Sequence, residues 1–277
     1  MRRFVTASPV LMLAACFLPI VNADIASFSS VADNTLNGLP TAIDNNMGRH
    51  VDVHVGTSGP GGGPHNRRGL LMFDVSAIPA GSTIHAATLT LQGTSGAMGF
   101  APASFDIFRM LSNWEEGAGS GNTGSAALSG ESTWNNLAHP ATAWGVPGAQ
   151  AGTDYSALAS ASTLIDSTFA SSNWSGPGVV ADVTAWVNSP TNNSGWILIN
   201  QSEGTLNSML RFGARENVAP VNRPWLDVEF TPVPEPMATL LASLGSLTCA
   251  LALRPRSAVP TRILHRMSHR VDGENHP

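Results

Sequence analysis

Gly69-Leu70-Leu71-Met72-Phe73-Asp74-Val75 is the stretch that decides the fold class. It is short and largely apolar, which fits a strand buried on both faces. Pro79-Ala80-Gly81 then supplies a turn. Residues 86–91 alternate, with Ala87, Leu89 and Leu91 on one face. Upstream, His50-Val51-Asp52-Val53-His54-Val55 alternates strictly and predicts a strand with its three valines facing the core. Further strands are expected around Phe105, Ile107 and Met110 (with a slip), and over residues 179–183, 196–199, 209–212 and 225–230. The one helical signal is a turn near residues 184–187. Many short strands separated by Gly, Pro and Asn turns predict an all-β domain, a jelly-roll-like antiparallel β-sandwich. Residues 117–164 are rich in Gly, Ser, Ala and Thr and carry few strand signals. They are expected to form long loops over one face or rim.

Composition narrows the function. The 277 residues contain no lysine, and all 14 basic residues are arginine. Between Asp24 and Val233 there are 16 acidic residues against 7 arginines, a net of −9. No basic stripe exists to meet phosphates, so nucleic acid is not an expected partner. The two cysteines, Cys16 and Cys249, lie in terminal apolar segments. The domain between them therefore has neither a disulfide framework nor a cysteine-zinc site.

Both ends carry sorting signals. Arg2 and Arg3 precede an apolar run over residues 10–21, and Val21-Asn22-Ala23 offers compact residues before Asp24. These three parts make residues 1–23 a secretory signal peptide cleaved between Ala23 and Asp24. Leu13-Ala14-Ala15-Cys16 also looks like a lipobox, so lipidation of Cys16 is the competing reading. At the other end, Pro234-Glu235-Pro236 precedes 17 uncharged residues, 237–253, and then Arg254-Pro255-Arg256. That length is the lower limit for a membrane-spanning helix. The order of parts over residues 233–256 resembles a PEP-CTERM sorting signal. The resemblance implies an exosortase-type partner, a transient membrane anchor through the C-terminal helix, and release to the surface or matrix of a Gram-negative-type bacterium. Residues 257–277 form a basic tail, expected to be disordered.

The region between the ends resembles a DNRLRE domain over residues 24–232. The likeness rests on an ordered set: Arg68-Gly69-Leu70-Leu71-Met72-Phe73-Asp74-Val75, then Asn113-Trp114-Glu115-Glu116-Gly117, Ser132-Thr133-Trp134-Asn135 and Trp144-Gly145-Val146-Pro147-Gly148. Asp182-Val183-Thr184-Ala185-Trp186-Val187, Asn193-Ser194-Gly195-Trp196, Leu210-Arg211-Phe212-Gly213-Ala214-Arg215-Glu216 and Arg223-Pro224-Trp225-Leu226-Asp227-Val228 complete it. The resemblance implies a jelly-roll sandwich similar to carbohydrate-binding modules, some of which bind acidic polysaccharide such as alginate.

Candidate site residues follow from chemistry. Exposed tryptophans stack on the apolar faces of sugar rings. Trp114, Trp134, Trp144 and Trp174 lie in polar, loop-like context and are the ligand candidates, whereas Trp186, Trp196 and Trp225 sit in apolar strands and read as core. Arg211, Arg215 and Glu216 form a compact charged group. Its arginines can clamp a uronate, or pair structurally with Glu216 or Asp74. Arg67 and Arg68 flank the glycine-rich residues 59–63, which lack the Lys-Ser/Thr of a phosphate loop. His50, Asp52 and His54 share one strand face, expected to be solvent-facing, with spacing that can hold zinc or copper. Asp33, Asn34, Asp44, Asn45 and Asn46 offer oxygens for a structural calcium, or simply form turns. No other cofactor is implied. Glu115-Glu116 resembles a glycosidase pair only by proximity, since neighbours on a strand point to opposite faces. No catalytic residue is assigned. The leading reading is a non-catalytic, exported polysaccharide-binding protein. The alternatives are a purely structural matrix or adhesion component, and a polysaccharide lyase or hydrolase.

Overall fold

The computed structural model describes residues 22–59 and 64–233. Most of the signal peptide with Cys16, the Pro234-Glu235-Pro236 motif, the apolar segment and the tail lie outside these residues. Asp24, which follows the expected cleavage point, is the first residue of the first strand. Among the described residues no helix is long and apolar enough to cross a membrane.

The strands, in chain order, are β1 (Asp24–Asn37), β2 (Asn45–Asn46), β3 (Asp52–Thr57), β4 (Asn66–Phe73), β5 (Thr83–Gly96), β6 (Ala103–Arg109) and β7 (Ser125–Ala126). They continue with β8 (Asn136–Ala138), β9 (Thr142–Ala143), β10 (Ala161–Ile165), β11 (Ser171–Ser175), β12 (Trp196–Asn200), β13 (Leu210–Gly213) and β14 (Trp225–Thr231). One α-helix, α1 (Pro177–Asn188), lies between β11 and β12. Every strand pairing is antiparallel, so the all-β expectation holds at that level.

Strand β1 closes the sheet on itself. Its first half pairs with β14 and its second half with β4, with a register break between Ser30 and Ala32. The break leaves Val31 as an extra, exposed residue, the way a bulge bends a strand from one sheet direction to another. The hydrogen-bonded path β1-β14-β5-β13-β3-β4 thus returns to β1, giving a barrel-like closed sheet. Closure removes open edges along that path. The ladder β12-β6-β10 continues from β4, and β11 adds to β5.

Strand β4 behaves as its apolar run predicts. Leu71 and Phe73 face the interior with Val53, Val55, Leu89, Trp196 and Phe212, while Leu70 faces the opposite side. Strand β12 alternates likewise, Trp196 and Leu198 inward, Ile197 and Ile199 outward. The outward set is covered by the segment between β6 and β10, through Trp114, Trp144, Ala149 and Tyr155. These loops over one sheet face therefore carry a second apolar layer.

Residues 179–183 are not the expected strand but part of α1. Val179, Val183, Trp186 and Val187 are buried, at spacings that fall on one helical stripe. Pro177 is pre-set for the first turn. Two residues lock this helix onto the barrel. Trp186 packs edge-on against Trp196 at 4.5 Å between ring centroids, and Asp182 accepts the Trp196 indole N–H at 2.8 Å. Asp182 also accepts from Ser160 and lies 3.7 Å from Arg109. The alternating pattern and the helical stripe share Val179 and Val183, which is why alternation misread the segment.

Candidate functional site

The expected sugar-stacking tryptophans are placed inside the protein. Trp174 is fully buried and donates its indole N–H to the Phe105 carbonyl at 2.7 Å. Trp114 and Trp144 are each 4% exposed, their N–H groups given to the carbonyls of Ser194 and Thr133, both at 2.8 Å. Trp134 is half-buried, with the Arg68 guanidinium 5.6 Å from its ring centroid and the backbones of Gly38 and Gly148 packed against it. A Cβ at Gly148 would stand 2.8 Å from the ring, so the Gly148 backbone lies directly against the indole. Three of the four are buried, and Trp134 is partly covered by Arg68, Gly38 and Gly148. Trp114, Trp134 and Trp144 belong to loops that pack in the outer apolar layer, whereas Trp174 lies on β11 and fills the inner core.

The tryptophan that reaches solvent is Trp225, 37% exposed, which strand context had assigned to the core. Strand β14 alternates: Leu226, Val228 and Phe230 point inward, Trp225, Asp227 and Glu229 outward. The acidic residues two and four positions on were the signal in the sequence. Across the outer face, Ser29, Trp225, Thr90 and Asn173 stand in one row over β1, β14, β5 and β11. Ser27, Asp227, Thr88 and Ser175 form the next row. Rows of this kind are about 6.8 Å apart along the strands, and four strands span about 14 Å. Ser27 donates to Asp227, and Thr90 to the Asn173 amide oxygen at 2.9 Å, which pre-orients these groups. The second row runs into a depression of about 520 Å³ lined by His85, Ala86, Thr88, Ser175, Gly176 and Pro177. The face is a flat, hydroxyl- and amide-rich platform with one indole in it, and its charged strand residues Asp227 and Glu229 are acidic.

The arginines are spent elsewhere. Arg215 grips Glu116 through two contacts of 3.1 and 2.7 Å and reaches Glu216 at 2.6 Å. The structural pairing with Glu216 is thus the one present, joined by Glu116. Asp74 is instead bonded to Ser76. Among the described residues the Arg211 guanidinium hydrogen-bonds the Asn122 side chain, at 3.4 Å. Arg68 makes a paired bridge to Glu203 and donates to the carbonyls of Gly148 and Ala149. A uronate clamp from Arg211 and Arg215 is not assembled. Glu115 is exposed while Glu116 is tied to Arg215, so the two are not a facing pair; Glu116 instead stands with Asp33 and Glu216, their carboxylate atoms within 4.8 Å of one another.

Behind Arg215 sits a third carboxyl. Asp33 is 1% exposed and accepts the Arg215 backbone N–H at 2.7 Å, while the arginine side chain serves Glu116 and Glu216. Burial pushes the Asp33 carboxyl up to about 8, and Glu216 and Glu116 add to the rise against the Arg215 amide and charge. An acid raised in this way keeps its proton in the folded state after the unfolded chain has released it. Its stabilisation is full below 3.8 and is lost as pH rises toward about 8. The neighbouring amides organise loops: Asn46 accepts from Gly48 and Gly119 and donates to Glu116 and Ser132, and Asn34 accepts from Thr35 and Met47. Asn45 donates to Thr123 and Gly124, and Asp44 accepts from Asn135. Asp33 and Asn34 lie within β1 and Asn45 and Asn46 form β2, so these residues tie strands to the neighbouring loops.

His50, Asp52 and His54 do come together, their ligand atoms all within 4.8 Å of one another. The expected solvent-facing histidines are not what forms. His54 is 1% exposed, His50 and Asp52 are partly buried, and Val51 is the exposed residue. Burial, then Arg211, His50 and Arg67, hold the His54 imidazole well below its ordinary protonation range. Comparison with protein-family models and with curated proteins finds no match to this chain.

Proposed function

We propose that this domain is a non-catalytic polysaccharide-binding module of jelly-roll β-sandwich type, exported to the cell surface or extracellular matrix. The single observation carrying the reading is Trp225, an outward-facing indole set in a flat lattice of Ser, Thr, Asn and Asp side chains. A pyranose offers an apolar ring face to the indole and hydroxyls to the surrounding groups. The face carries Asp227 and Glu229, while Arg215 and Arg68 are bound by Glu116, Glu216 and Glu203 and Arg211 lies on β13, outside these rows. Neutral glycans therefore fit better than alginate or pectin. Export and exosortase sorting rest on the terminal sequence motifs. The jelly-roll reading rests on the ordered motif set and on β1 passing between two sheet directions.

The test is a polysaccharide array, neutral and acidic, probed with the chain and its Trp225→Ala variant. Binding to neutral glycans that the substitution weakens is expected. Absence of any polysaccharide binding refutes the module and leaves a structural matrix component. Release of reducing ends or unsaturated products would make it an enzyme.

A further inference from the structure

We infer that His50, Asp52 and His54 form a binding site for a borderline divalent transition metal of the zinc class. In an extended strand, residues four apart lie about 13 Å from each other. Here a bend before β3 folds His50 back, and its ring meets that of His54 edge-on at 5.1 Å between centroids. Both ring nitrogens of His54 are buried without a hydrogen-bond partner, and so is Nε2 of His50. Buried polar atoms are nearly always satisfied, so two histidines with orphaned ring nitrogens, each bringing one ligand atom within 4.8 Å of the other and of the Asp52 carboxylate, call for a ligand. A proton does not answer this, because a buried imidazolium would sit beside Arg211 and Arg67.

The carboxylate is already oriented. Asp52 Oδ1 accepts from the Thr94 hydroxyl at 2.9 Å and from the Asn217 amide at 3.3 Å, leaving Oδ2 for a metal. Outer contacts of this kind fix metal ligands. Two imidazoles and one carboxylate suit zinc and its first-row neighbours, with a fourth position open for water. Calcium and magnesium take oxygen ligands and are held largely by charge. Arg211, which pairs in register with His54, and Arg67 both oppose them. That field opposes every divalent cation alike, and the two imidazole donors, which suit zinc and not calcium or magnesium, supply the discrimination.

The test uses the full chain with His265, His269 and His276 replaced by alanine, which keeps the tail histidines out of the titration. Zinc and, as a spectroscopic probe, cobalt(II) are titrated separately. One equivalent is expected to bind, with a cobalt ligand-field spectrum of imidazole-carboxylate type, while calcium and magnesium do not compete. His50→Ala and Asp52→Asn should each weaken binding at least about tenfold, and Thr94→Val about tenfold through the lost orienting contact. Should His54→Gln unfold the chain, His50→Ala carries the result, because His50 is only half-buried. No saturable binding, binding unchanged in His50→Ala, or displacement by calcium would each overturn the site.

Discussion

Replacing Trp225 by alanine separates the platform from the rest of the molecule. The residue is 37% exposed. An indole of about 250 Å² therefore leaves on the order of 90 Å² for a ligand to cover. At about 25 cal/mol per Å², complete coverage contributes about 2 kcal/mol. A sugar covering only the outer ring face captures half or more of that. The expected loss of affinity is then about 5- to 40-fold, each 1.4 kcal/mol being about tenfold. The other two-thirds of the indole rests on neighbouring side chains, so the substitution should also cost about 1–3 kcal/mol of stability, while Leu226, Val228 and Phe230 keep the interior filled and the melt cooperative. The assay is isothermal titration with the best neutral glycan from the array, run beside a melting curve for each protein. Trp225→Phe should keep most of the affinity. A change under about threefold in Trp225→Ala, with a cooperative melt retained, would refute the platform as the binding face. A large change accompanied by unfolding would refute the claim that the interior holds without the indole.

The remaining predictions concern the scaffold. Between pH 5 and 7 the folded state holds a proton on Asp33 that the unfolded chain has released, which costs the parent about 1.4 kcal/mol of stability per pH unit, so Asp33→Asn should gain about 3 kcal/mol over the parent across that window. Subtracting the two denaturation profiles cancels the opposing contributions of His50 and His54, and a difference that does not grow with pH would contradict the buried, protonated carboxyl. Arg215→Met leaves Asp33, Glu116 and Glu216 clustered without their cation. A cost of about 1–2 kcal/mol is expected, reduced by the partial exposure of the arginine, and urea unfolding measures it. Ala181→Pro, at an exposed helix position, should cost about 3 kcal/mol by the same measurement if residues 177–188 are helical, and little if they are an exposed strand edge.

What the sequence determined by itself is the local order of this chain. The apolar run of β4, the alternation of Ala87, Leu89 and Leu91, and the turn residues between them are short-range signals, and they gave an antiparallel β domain with a loop-rich segment over one face. The tertiary structure decided which face each side chain meets. Trp114, Trp144 and Trp174 have polar neighbours along the chain but apolar neighbours across it, since burial depends on contacts distant in sequence. Trp225 was legible from the outward spacing of Asp227 and Glu229. The helix at residues 177–188 was partly legible, because its stripe needed Trp186 and Val187 to be read together with Val179 and Val183. The three residues of the proposed metal site were visible as a same-face set, but their convergence was not. A strand would hold His50 and His54 far apart, and only the bend at the start of β3, together with the burial of His54, brings their nitrogens to one point.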